Sequence, residues 1–77
     1  MANYPDNVDP VADPFGTDIG ADVLDQWGVL RGVERRTVAE CEAAIRSHPV
    51  FSAALEDEDD GPVIEAAIAI LKAEDSA

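Results

Sequence analysis

Cys41 and His48 are the only cysteine and the only histidine in the 77-residue chain. They are its one candidate nucleophile and its one candidate imidazole base. A nucleophile and its base must meet within hydrogen-bond reach. Seven residues apart on one helix, they share a face but stand about 10 Å apart along the axis. The spacing therefore predicts a buried thiol and a helix-end histidine, not a catalytic pair. A single cysteine also excludes an internal disulfide framework and a cysteine-based zinc site. No enzyme is expected.

The second place to look for chemistry is Glu56-Asp57-Glu58-Asp59-Asp60, followed by Gly61-Pro62. With Gly61 at the sixth position of an EF-hand loop, Glu56, Glu58 and Asp60 fall at the first, third and fifth. The twelfth position needs a bidentate glutamate, and Ala67 stands there instead. The run reads as a solvated acidic turn, and no metal is expected.

The stretch Ile19-Gly20-Ala21-Asp22-Val23-Leu24-Asp25 resembles the Asp-Ser-Leu motif of acyl carrier proteins, which are also small, acidic and helical. In that family the serine carries phosphopantetheine, and a helix precedes the motif. Here Val23 occupies the serine's place without a hydroxyl, and a proline-broken arm precedes it. The resemblance does not extend to carrier function, and no cofactor is expected.

Charge is the most informative property. Seventeen acids face five bases, for a net charge of −12. Residues 1–30 hold six aspartates and no base. Residues 31–46 hold Arg31, Arg35, Arg36 and Arg46 against Glu34, Glu40 and Glu42, and residues 47–77 hold eight acids and Lys72. Two acidic flanks thus enclose a near-neutral, arginine-bearing middle. Such a field repels nucleic acid and anionic membrane and attracts basic protein surfaces. The Arg31, Arg35 and Arg36 cluster is expected to pair with Asp22, Asp25, Glu34 or the acidic run, not to bind nucleic acid.

The elements that must position these charges are all helical. Pro5, Pro10 and Pro14 break residues 1–17 into an extended or partly disordered arm, with Tyr4, Val8, Val11 and Phe15 as anchors. Phe15 is expected to pack and residues 1–7 to be loose. The helical domain spans 18–74. Its first helix, about 18–31, is capped by Thr17 or Asp18, carries Ile19, Val23, Leu24, Trp27 and Leu30 inward, and stops at Gly32. Thr37-Val38-Ala39-Glu40 is a capping box opening a helix over 37–48, with Arg46 and His48 as cations suited to its last turn. Pro49 opens a short helix over 49–56 with Val50, Phe51, Ala54 and Leu55 inward. A last helix over 62–73 begins with Pro62 in its first turn. Its wide apolar arc, Val63 to Leu71, places it at the centre of a bundle or in a homodimer interface. Residues 75–77 are expected to fray. The fold class is all-α, a small bundle of three to four short helices with a proline-containing N-terminal arm.

Two functional readings follow. Asp18, Asp22 and Asp25 form an i, i+4, i+7 row, and Glu56, Asp57, Glu58, Asp59 and Asp60 form a denser patch. Together they suit an inhibitor that imitates nucleic-acid charge and blocks the groove of a basic nucleic-acid-binding protein. Phage anti-CRISPR and antirestriction proteins are similar in size, acidity and helical class, with no shared motif. The alternative is a helical adaptor or regulatory module, homodimeric through Val63–Leu71, whose acids serve solubility or salt adaptation. The chain has neither a signal-peptide pattern nor an apolar run long enough to span a bilayer. The expected location is the cytoplasm, that of the host cell if the protein is phage-encoded.

Overall fold

A computed structural model describes residues 9–76. The expectations for Tyr4, Val8, residues 1–7 and Ala77 lie outside the described residues. The described residues are helical and contain no strand: α1 (Asp18–Gly28), α2 (Val38–Ser47), α3 (Pro49–Leu55) and α4 (Asp60–Ser76).

The described part of the arm makes two turns. Asp9 Oδ1 accepts from the Val11 and Ala12 amides at 2.9 and 3.4 Å. A 3₁₀ turn follows at Pro14–Gly16, with Pro14 buried and Phe15 packed against the core, as its apolar character requires. Thr17 joins this turn to α1. Its hydroxyl donates to the Pro14 carbonyl at 2.6 Å and accepts from the Gly20 amide at 3.0 Å. A β-carbon on Gly20 would lie 1.8 Å from the Pro14 oxygen, so Gly20 is what lets the turn dock on the helix.

The first helix differs from expectation at its end. Gly32 does not stop it. After Gly28 the backbone widens into a π turn, Val29–Val33, in which the Glu34 amide reaches the Val29 carbonyl at 3.0 Å. The chain turns away only at Arg35, whose φ of 57° is left-handed. That conformation costs a non-glycine residue about 1 kcal/mol. The Arg36 amide then closes the corner on the Leu30 carbonyl at 2.8 Å. Val23, Trp27 and Leu30 form the buried stripe, whereas Leu24, expected inward, lies on the flank and is 40% exposed.

The capping box of α2 forms as its sequence predicts: Thr37 Oγ1 accepts from the Glu40 amide at 3.1 Å, and Glu40 Oε1 accepts from the Thr37 amide at 2.9 Å. His48 ends α2 as expected, its amide donating to the Ile45 carbonyl at 3.2 Å. It has a second role that was not expected: its Nδ1 accepts from the Val50 amide at 3.2 Å, so it is also the N-cap of α3. The imidazole also lies against Phe51, ring centres 4.9 Å apart. Phe51 is buried, whereas Val50, also expected inward, sits one residue off that stripe and is exposed.

The central helix is α4. It starts at Asp60, two residues before the expected boundary, and runs through Ser76, so the tail expected to fray from residue 75 is helical there. Val63, Ile64, Ala67, Ile68 and Leu71 are buried against α1, α2 and α3. The wide apolar arc is filled by the chain's own helices. Gly61 permits the entry into α4, because a β-carbon there would lie 2.6 Å from the Leu55 carbonyl oxygen.

Candidate functional site

Successive residues of an α-helix are rotated by about 100°. Asp18, Asp22 and Asp25 therefore fall within one arc of α1, opposite buried Gly20, Val23 and Trp27, and all three are exposed. Their axial span is about 10 Å, one charge per roughly 5 Å. One strand of duplex DNA presents a charge every 3.4 Å or so. The row thus approaches the spacing of a single phosphate strand but not the density of a duplex.

The second group occupies the turn between α3 and α4 and the first residue of α4. Glu56, Asp57, Glu58 and Asp59 are exposed and Asp60 is half-buried. Asp57 has a structural duty: its Oδ1 accepts from the Asp59 and Asp60 amides at 2.8 and 3.3 Å, and its carbonyl accepts from the Gly61 amide at 2.8 Å. The run is thus a capped entry to α4 as well as a charge patch. The two groups sit on separate elements, and no hydrogen bond joins them among the described residues.

The bases are bound elsewhere. Arg46 grips Glu65 with two bonds, 2.7 and 2.8 Å, and contacts Glu42 at 3.0 Å, while Lys72 reaches Glu42 at 2.9 Å. This network ties α2 to α4. It holds the Glu42 carboxyl below the usual range through its bonds to Lys72 and Arg46, and the Glu65 carboxyl below it through Arg46. Arg36 pairs with Glu34 at 2.9 Å, as expected, but Arg31 pairs with Asp75 at 3.1 Å and not with Asp22, Asp25 or the acidic run. The same Asp75 oxygen accepts from Trp27 Nε1 at 2.6 Å. Trp27 first and Arg31 second lower the Asp75 carboxyl's proton affinity. None of the eight candidate acids belongs to an ion pair among the described residues, and Arg35 is the base without one.

Sequence reasoning missed Asp75. It lies 48 residues from Trp27, so no local spacing pattern links the two.

The other candidate chemistry is engaged in packing. Cys41 is fully buried, its thiol directed at the Arg36 carbonyl 3.9 Å away, and burial pushes its pKa up. The imidazole of His48 is committed to α3, as described above. Val23, at the place of the carrier serine, is fully buried. Among the described residues no three His, Cys, Asp or Glu side chains converge to hold a metal, and no helix is long and apolar enough to cross a membrane. The chain matches no protein-family model, no curated protein and no solved structure.

Proposed function

We propose that this protein is a small acidic inhibitor that occupies the basic groove of a nucleic-acid-binding protein, of the kind used in phage anti-defence. The observation that carries this reading is the partition of charge. Arg31, Arg36, Arg46 and Lys72 neutralise Asp75, Glu34, Glu65 and Glu42, while Asp18, Asp22, Asp25 and Glu56–Asp60 form no ion pair among the described residues. Carboxylates without an internal cation are available to an external Lys or Arg surface. Their condensed counterions would be released on binding, as those of DNA are. A homodimer through the apolar arc of α4 would have to withdraw Val63, Ile64, Ala67, Ile68 and Leu71 from the core they fill.

The test is binding to a Cas effector complex and to a restriction endonuclease, with duplex DNA as competitor. If six carboxylates are engaged, affinity falls by about a thousandfold between 50 and 200 mM salt. Relocating charge supplies the control. D22N/D25N combined with A43E/A53E, all four at exposed positions, keeps the net charge at −12. Groove binding predicts weaker affinity and a shallower salt slope for this variant. Equal binding by wild type and variant, affinity indifferent to salt, or no competition by DNA would each refute the proposal.

A further inference from the structure

The segment from Val29 to Arg36 departs from regular backbone twice, in the π turn and in the left-handed Arg35. Arg31, which lies in the first and bonds the carbonyl just after the second, is itself held by the Asp75 carboxylate. We infer that this segment is a two-register hinge between α1 and α2, kept closed by Asp75. The inference is independent of the partner proposed above.

The hydrogen bonds define the two registers. In the closed form the Glu34 amide donates to the Val29 carbonyl, and the Arg36 amide donates to the Leu30 carbonyl. In a regular helix Val29 would accept from Val33 and Leu30 from Glu34. Both carbonyls are therefore satisfied in either register. The slip frees the Arg36 amide and releases Arg35 from its positive φ.

Side chains select the closed form. Arg31 Nη1 donates to the Arg36 carbonyl at 2.8 Å, and Arg31 Nε donates to Asp75 Oδ2 at 3.1 Å. Trp27 Nε1 donates to the same oxygen at 2.6 Å. One carboxylate of α4 thus fixes the arginine that fixes the corner. Past Leu71 every described residue of α4 is exposed, so this last turn is held by side-chain bonds and not by the core.

The surroundings permit the slip. Gly28 precedes the turn and Gly32 lies within it, and a β-carbon at either would meet nothing within 4 Å, so neither is required for close packing. Val29 and Val33 are 44% and 76% exposed, so rotating this part of the segment takes no side chain out of the core. Leu30, the one buried residue of the π turn, precedes the residues that move. Opening would rotate Val33 to Arg35 by about 100° and break the bond between Arg31 and Arg36, freeing α1 to change its angle to α2.

Amide hydrogen exchange of the full chain, read by NMR, tests this with D75A and with R31Q, which leaves the bond between Trp27 and Asp75 in place. In each variant the Arg36 amide should exchange about tenfold faster or more, while Glu34 stays protected because Leu30 replaces Val29 as its acceptor. Ile45 and Ile68 should change far less. Equal loss at Glu34 and Arg36 would mean fraying and not a slip. A uniform rise that includes Ile45 and Ile68 would mean global destabilisation, and unchanged protection at Arg36 would mean no clamp. Each of these results overturns the inference.

Discussion

Two glycines in one helix should respond to the same substitution with opposite signs. In an exposed helix interior, Gly→Ala stabilises by about 1 kcal/mol, because alanine loses less backbone freedom on folding. Gly28 is exposed, and its β-carbon would meet nothing within 4 Å. Gly28→Ala should therefore raise Tm by about 4–8 °C, the usual equivalent of 1 kcal/mol for a domain of this size. Gly20 would gain the same propensity term but would place a β-carbon 1.8 Å from the Pro14 oxygen, 2.5 Å from its carbonyl carbon and 2.9 Å from Thr17 Oγ1. The first two atoms are backbone and cannot rotate away. Relieving the clash means lifting the 3₁₀ turn from α1, which sacrifices a cap worth about 1 kcal/mol and adds roughly 1–3 kcal/mol of overpacking strain. After the propensity gain, Gly20→Ala should lose about 1–3 kcal/mol. Urea and thermal unfolding followed by circular dichroism would measure both. A Gly20→Ala protein as stable as wild type would refute the docking of Pro14 on α1. A destabilised Gly28→Ala protein would refute the open space around Gly28.

Acid should weaken the fold through a small set of carboxylates. Glu40, Glu42, Glu65 and Asp75 all have folded-state proton affinities below their ordinary values of 4.5 for Glu and 3.8 for Asp. The unfolded chain therefore takes up these protons first. Their stabilisation is complete above the ordinary values and is lost as pH falls through the lower folded ones. In about 0.5 M salt, which screens the general self-repulsion, Tm should fall as pH drops below about 4.5; a Tm that rises on acidification below that point would contradict the assignment. E42Q/E65Q should flatten the acid limb. A separate comparison isolates the structural duty of Asp57: D57A should lose about 1 kcal/mol in urea unfolding, and D57N, which keeps the acceptor, should lose much less. Equal losses would assign the effect to charge and not to capping.

What could be read from the sequence was local. The capping box needs only Thr37 and Glu40 three residues apart, and α4 announces itself through Pro62 and the apolar period from Val63 to Leu71. Asp18, Asp22 and Asp25 could be placed on one outer row because helical rotation alone fixes it. What could not be read depends on parts of the chain that meet only after folding. Gly20 looks like a weak helix residue until the Pro14 carbonyl is seen against it, and Gly61 needs Leu55 in the same way. His48 ends α2 through its amide, as its position beside Pro49 suggests, but its second duty, capping α3 through Nδ1, depends on the orientation of the imidazole in the fold. The π turn was hidden because Gly32 resembles a terminator. The Asp75 clamp was hidden because an acidic helix end resembles a fraying tail.

The ion pairs bear on why the chain is so acidic. Four bases are matched to four acids, in pairs that join α2 to α4, join the π turn after α1 to α4 and brace the corner at Glu34. These pairs cancel, so the whole net charge of −12 lies in the other thirteen acids against Arg35. Of the thirteen, Asp6 is outside the described residues, and eight are the candidate acids on α1 and the α3–α4 turn. Exposed pairs like these contribute little stability individually, and more where an arginine is bidentate and several charges form a network, as around Arg46. The arrangement therefore does two things at once: it joins α4 to its neighbours and removes the bases from reach of the acid rows. A coat selected only for solubility depends on net charge and is indifferent to position. A groove-binding surface depends on position at constant net charge. The charge-relocation variant separates the two because Ala43 and Ala53 are exposed, like Asp22 and Asp25, yet lie on α2 and α3.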